Sequence, residues 1–198
     1  MKLKFLTAAI VLLPFYLIMP ALAANLTIVR QLLETRQCPR CDLFGASLNR
    51  ADLFNASLSG AILSRADLIE ADLSNADLKD ADLNNATLKD AFLSKANFTR
   101  ADLTRANLKG ANLESANLTE SYLTEAALHS AILIGADLTK ANLHRADLRN
   151  ADLTNANLTG ADLNEADLSG ANLDGANLSG VNLCSARMPN RSKYRQGC

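Results

Sequence analysis

The chain contains no Trp, and only 5% of its 198 residues are aromatic. A core of large interlocking rings is thereby excluded, and the 48% apolar content is met mostly by Ala and Leu. Proline occurs only at 14, 20, 39 and 189, so residues 40 to 188 carry no obligatory chain breaker. The formal net charge of −1 excludes a single-sign field of the kind that draws nucleic acid or an anionic membrane. Histidine is limited to His129 and His144, too few and too far apart for a His-rich metal or proton-transfer cluster. Cysteine is confined to the two ends, as Cys38, Cys41, Cys184 and Cys198.

One long apolar run is present, at the N-terminus. Lys2 and Lys4 precede it, Phe5 to Leu17 is interrupted only by Thr7 and Pro14, and Ala21-Leu22-Ala23 follows with small residues at the outer two positions. That order is expected of a signal peptide, residues 1–23, cleaved after Ala23. The run is short for a span of about 20 residues and is broken by Pro14 and Pro20, so no membrane association is expected after cleavage. Loss of Lys2 and Lys4 leaves the mature chain at −3.

The middle of the chain is periodic. From 43 to 183 every fifth residue is Leu, except Phe98, giving 29 consecutive units without an insertion. Two residues before each Leu stands Ala in 26 units, the exceptions being Cys41, Ser121 and Val181; the residue between is Asp or Asn in 21. On an α-helix successive Leu would step by about 140° and form no stripe. On a strand an odd period throws alternate Leu to opposite faces. An extended Ala-x-Leu followed by a two-residue corner satisfies both constraints. Ala and Leu then point the same way, and four corners close a coil of about 20 residues that stacks on the next.

Units such as "ADLSNADLKDADLNN" (71–85) resemble the pentapeptide-repeat family. The resemblance covers about residues 41 to 188 and implies an all-β solenoid, a right-handed quadrilateral parallel β-helix. The 29 units make slightly more than seven coils, a rod roughly 35 Å long at about 4.8 Å per coil. The expected organisation is signal peptide 1–23, N-terminal capping helix and linker 24–40, repeat solenoid 41–188 and C-terminal cap or tail 189–198. In the cap, Leu26, Val29, Leu32 and Leu33 fall at helical spacing, with Asn25 or Thr27 as N-cap. At the far end Val181, Leu183, Ala186 and Met188 continue the inward pattern until Pro189, and the tail beyond has no apolar periodicity.

Four cysteines in an exported chain point to disulfides. Because the rod separates the two groups by far more than the roughly 4.4–6.8 Å between Cα atoms that a bridge allows, the expected pairs are Cys38–Cys41 and Cys184–Cys198. The same separation rules out a four-Cys zinc site. A redox C-x-x-C would need a βαβ setting, and haem attachment would need His where Asp42 stands.

No nucleophile–base pair, phosphate loop or metal-spaced cluster stands out, so no enzyme and no cofactor is expected. His129 and His144 each follow an inward Leu and are expected to be solvated turn residues. The recurring Asp and Asn are expected to support turns and outer surface. The expected function is a non-catalytic exported scaffold that binds another protein, in the periplasm or, in a photosynthetic source, the thylakoid lumen. The resemblance also implies an alternative, because some members imitate duplex DNA and bind DNA gyrase. That role needs dense surface carboxylates, whereas Arg65, Arg105 and Arg145 interleave with the acids on one face and Arg50, Lys89, Lys109 and Arg149 on the next, and export would separate the chain from gyrase. The rhythm lapses at 121–140, where Tyr122, Ala127 and Ile132 replace Asp or Asn. With Ile134 and Phe92 these form the candidate partner surface.

Overall fold

The computed structural model describes residues 26–194 and Cys198. The proposed signal peptide, cleavage site and Asn25 lie outside the described residues. Helix α1 spans 26–35 and leads into a solenoid in which each five-residue unit makes one parallel bridge to the unit 20 residues on. Four ladders result. Face I runs through Asp42, Ile62 and Asp82 to Asn182; face II through Ser47 and Asp67 to Arg187; face III through Asp52 and Asp72 to Asn172; face IV through Gln37 and Ser57 to Asn177. Faces I and III are opposite sides of the square. Each ladder is a row of single bridges without extended strands, because only three residues of each unit are free of the turn.

The unit 71–75 explains the five-letter period through its backbone donors. Ala71 N–H closes the preceding turn on Leu68 O at 3.1 Å, Asp72 N–H reaches the coil before at Ala51 O (2.9 Å), and Leu73 and Asn75 N–H reach the coil after at Phe92 O (2.8 Å) and Ser94 O (2.9 Å). The remaining donor, Ser74 N–H, would point out of the ladder. The Asp72 side chain accepts it through Oδ1 at 2.9 Å. All five donors are thereby paired, as half-buried backbone requires. The Asp/Asn position is thus an Asx turn repeated along the rod.

Each corner is completed by a residue in the left-handed region, Asn75 at φ 58° and Gly135 at φ 64° among them. Such a conformation costs a residue with a Cβ about 1–2 kcal/mol and a β-branched one more. Between 45 and 185 this fifth position holds Gly, Asn, Asp, Ser, Glu, Lys or Arg and never Thr, Val, Ile or an aromatic.

The Leu column is buried from Leu43 to Leu168, with Phe98 completely enclosed in its place, and Ala lines the same interior. Ser121 replaces Ala inside at no loss of pairing, since its Oγ donates to Leu118 O at 2.7 Å. The small Ala admits close coil packing while each buried Leu contributes about 1.5–3 kcal/mol.

The ends differ from the expectations in detail. α1 packs Ile28, Val29 and Leu32 on the core, while Leu26 and Leu33 are 63% and 46% exposed. The helix therefore presents the 28/29/32 stripe, a face turned from the expected one, and Thr27 lies within the helix. Cys38 and Cys41 are joined with Cα atoms 5.3 Å apart, and Cys184 and Cys198 at 5.1 Å. The C-terminal tail is partly ordered. It reverses after Pro189, pairs Lys193 antiparallel with Arg187, and donates Tyr194 N–H to Ala186 O at 2.8 Å. It buries Ala186 but leaves Leu173, Leu178, Leu183 and Met188 half-covered.

Candidate functional site

The interior is uniform, so any distinctive chemistry lies on the outer positions. Most Asp and Asn residues preceding the Leu are committed to their own turns. Asp102, Asn142 and Asp152 accept the N–H of Thr104, His144 and Thr154 at 2.9, 3.0 and 3.0 Å. A carboxylate so engaged serves the turn. Among the described residues no grouping of three or more His, Cys, Asp or Glu has metal-ligating geometry, and no helix is long and apolar enough to cross a membrane.

Five arginines are matched to acids one coil away in the same column. Arg105 donates to Glu125 at 2.7 Å, Arg145 to Glu165 at 2.8 Å, and Arg50 to Glu70 at 2.8 Å. Arg149 turns back on Asp147 of its own unit at 2.6 Å. Hydrogen bonding by Arg105 and Arg145 holds the Glu125 and Glu165 carboxyls below the usual range, and Arg149 does the same for Asp147. These pairs are exposed, and each contributes little to stability. Their consequence is local pairing of charge, which balances face II but leaves face I, between 41 and 185, with six acids against three arginines.

His129 departs from the expectation of a solvated turn residue. Its ring is half-buried between coils and its Nδ1 is enclosed without a partner. His144 is also half-buried, beside Glu125 and Glu165.

The candidate partner residues do not form one patch. Tyr122 belongs to face I and is 53% exposed; Ala127 belongs to face II and is half-buried. Ile132 and Phe92 belong to face III, two rungs apart through Asn112, and Ile134 lies half-buried in the turn that leaves that face. Consecutive units turn a right angle, so neighbours in sequence point in different directions. No flat partner reaches Tyr122 and Ile132 together. Sequence reasoning also passed over Phe44 and Ile62, both exposed on face I, with the Arg65 guanidinium 5.7 Å from the Phe44 ring centre. Sorting the outer positions into columns of 20 residues from residue 41 onward brings them out.

A hollow of about 440 Å³ at the C-terminal end is lined by Glu165, Asp167, Ser185, Arg187, Arg191 and Lys193. Its charges answer one another, with Arg187 3.5 Å from Asp167.

No curated protein matches the chain. Among solved structures it is similar to HetL, a pentapeptide repeat protein involved in heterocyst differentiation regulation in the cyanobacterium Nostoc sp. strain PCC 7120, at 33% identity over 80% of this chain and 89% of HetL, with a TM-score of 0.28. It is similar to a pentapeptide repeat protein of the Arabidopsis thaliana thylakoid lumen at 33% identity over 49% of this chain and 68% of the other, TM-score 0.36. It is also similar to full-length QnrB1, a plasmid-mediated fluoroquinolone resistance protein, at 20% identity over 81% and 91%, TM-score 0.37. The model of the pentapeptide repeats matches residues 46–85, 81–119, 121–160 and 151–189. With an Asx-closed turn in 21 of its 29 units and one bridge per face every 20 residues, the chain belongs to the pentapeptide repeat family, whose fold is the right-handed quadrilateral β-helix.

Proposed function

We propose that this protein is an exported, non-catalytic rod that binds another protein through its outer surface. The observation that carries this reading is the commitment of the Asp/Asn columns to the turns. The residues that could have formed paired-carboxylate chemistry are structural, which leaves recognition to the positions that vary from coil to coil. Two disulfides, one fastening each end, suit an oxidising compartment. The apolar stretch before residue 23 supplies the export signal, and periplasm or thylakoid lumen is the destination. The Arg–Glu pairs replace the continuous negative charge that imitation of DNA requires, so gyrase binding is not favoured.

The test is fractionation of the producing cell with thiol labelling of the recovered chain. The expected product begins at Ala24, resides outside the cytoplasm and has four unreactive cysteines. A full-length cytoplasmic chain with reactive thiols would overturn the export reading. Crosslinking in the exported fraction, compared with the cytoplasm, then tests the binding role. The expected partner is a protein of that compartment, and co-isolation of gyrase instead would reverse the choice.

A further inference from the structure

We infer that face III, from Asp72 to Asp174, is the docking surface and that its occupant is a cationic amphipathic α-helix of the partner protein. This rests on the reading of the chain as a protein-binding rod. Three observations on the same face converge on it.

The first is charge. Between residues 51 and 175 face III and its outgoing turns carry five acidic residues against Lys95 alone, whereas face II and its turns, between 46 and 190, balance five acids with five bases. Among the described residues, the ion pairs lie on faces I, II and IV, apart from Arg36 with Asp52 at the base of the rod. Asp72, Glu114, Asp152 and Asp174 therefore have no basic partner among these ion pairs; Asp72 and Asp152 are half-buried and give one carboxylate oxygen to the turn, which leaves the other for a partner.

The second is apolar placement. Phe92 and Ile132 are 52% and 39% exposed on this ladder, and each forgoes the turn-closing oxygen that Asp72 and Asp152 supply. Two lapses that weaken turns fall in one column, bracketed by carboxylates one rung beyond.

The third is clearance. At the left-handed corner positions, the turns beside Ile132 and above it carry Ser130, Asn150 and Gly170 on one side and Gly135, Asn155 and Gly175 on the other. No long or charged side chain rises from those positions around Ile132 and Asp152, and Arg149 in the incoming turn is directed to Asp147, while the corners beside Asp72 and Phe92 carry Glu70, Asp90 and Lys95.

The axial spacing selects a helix. At about 4.8 Å per rung, Asp72, Phe92, Ile132 and Asp152 stand at roughly 0, 5, 14 and 19 Å. A helix rising about 1.5 Å per residue places its first, fourth, eleventh and fifteenth residues at roughly 0, 4.5, 15 and 21 Å, all on one stripe. Lysine at the two outer positions, whose long stem absorbs the last 2 Å or so, and leucine at the two inner ones match acid, apolar, apolar, acid in order.

The test uses a fluorescein-labelled 18-residue Ala-rich peptide and the mature disulfide-bonded protein. The peptide carries lysine at its first and fifteenth positions and leucine at its fourth and eleventh. Controls are the same peptide with glutamate for both lysines, and a scrambled peptide of identical composition. By fluorescence anisotropy at low salt the matched peptide should bind at least tenfold more tightly than either control. Asp72→Asn with Asp152→Asn, which keeps the turn-closing oxygen, should weaken it at least fivefold, as should Phe92→Asn with Ile132→Asn. Asp82→Asn with Asp162→Asn removes two charges at the same four-rung spacing from face I and should leave binding unchanged. Equal loss from the face I variant, equal binding of the scrambled peptide, or no binding of the matched peptide would each overturn the inference. A correctly exported chain that fails these tests retains the scaffold reading and loses only this face.

Discussion

Ala127 offers a direct measurement of what the repeated Asx turn contributes. On face II it pairs with Asn107 before it and Asp147 after it. Both neighbours accept the N–H two residues on, Lys109 and Arg149, at 3.2 Å. Ala127 has no oxygen to offer His129 N–H. Ala127→Asn should supply it without altering the core, because the side chain points outward between two residues that already tolerate that group. A hydrogen bond of this kind contributes about 0.5–1.5 kcal/mol, and ordering the Asn side chain takes back part of it. A net gain of about 0.5–1 kcal/mol is expected, which for a chain of this length raises Tm by roughly 1–4 °C. Asp would be the wrong choice, since Asp147 is the adjacent rung and like charges opposite each other repel. The converse variant, Asp102→Ala, orphans Thr104 N–H and should cost about 1–2 kcal/mol. Urea denaturation followed by circular dichroism without reductant reads both, with Ala127→Val as a control that adds bulk and no acceptor. If Ala127→Asn gains no more than Ala127→Val, or Asp102→Ala unfolds at the wild-type midpoint, the assignment of the Asp/Asn columns to turn closure is refuted.

Gly135→Val places a β-branched side chain at φ 64° in otherwise open space, with Ser115 Oγ 3.7 Å from the new Cβ. It should cost about 1–2 kcal/mol while Gly135→Asn costs a few tenths, compared by thermal melting. Cys184→Ser with Cys198→Ser opens a link of sequence separation 14 and should cost about 3 kcal/mol, against less than about 2 for Cys38→Ser with Cys41→Ser at separation 3. Hydrogen exchange should then rise first at Leu173 to Met188. Glu125, Glu165 and Asp147 have native pKa values below the ordinary range, so the stability they add is complete above an ordinary carboxylate pKa of about 4 and is lost as pH falls through the native values. Urea midpoints should be level from pH 7 to about 5 and decline below about 4, and Arg105→Gln with Arg145→Gln should flatten that decline.

Ala-x-Leu was legible because it faces a single environment, the interior, and every unit answers to it in the same way. The outer positions answer to two neighbours that lie 20 residues away, and a linear scan does not bring these together. Sorting the sequence into columns of 20 does bring them together: it puts Phe92 and Ile132 on one face and Tyr122 two faces away, as the bridges do. The Asp/Asn columns were correctly associated with turns, but their acceptor role depends on which N–H the coil leaves over, and that is decided only once the coils are stacked. The missing β-branched residues at the fifth position were readable as a left-handed corner. In α1 several apolar residues fitted helical spacing, and only docking on the first coil selected Ile28 over Leu26 and Leu33.

The single bridge per face every 20 residues gives this molecule a quantised length. Deleting one unit of five would keep every core Leu in place and still rotate all downstream residues by a quarter turn. Face III beyond the deletion would then continue what was face II below it, and Phe92 would no longer share a column with Ile132. Removing a whole coil of 20 shortens the rod and leaves its four sides intact. Surface position on this protein is therefore set by two coordinates, rung and side. A change in chain length acts as a rotary switch on one of them, without any loss of fold to betray it.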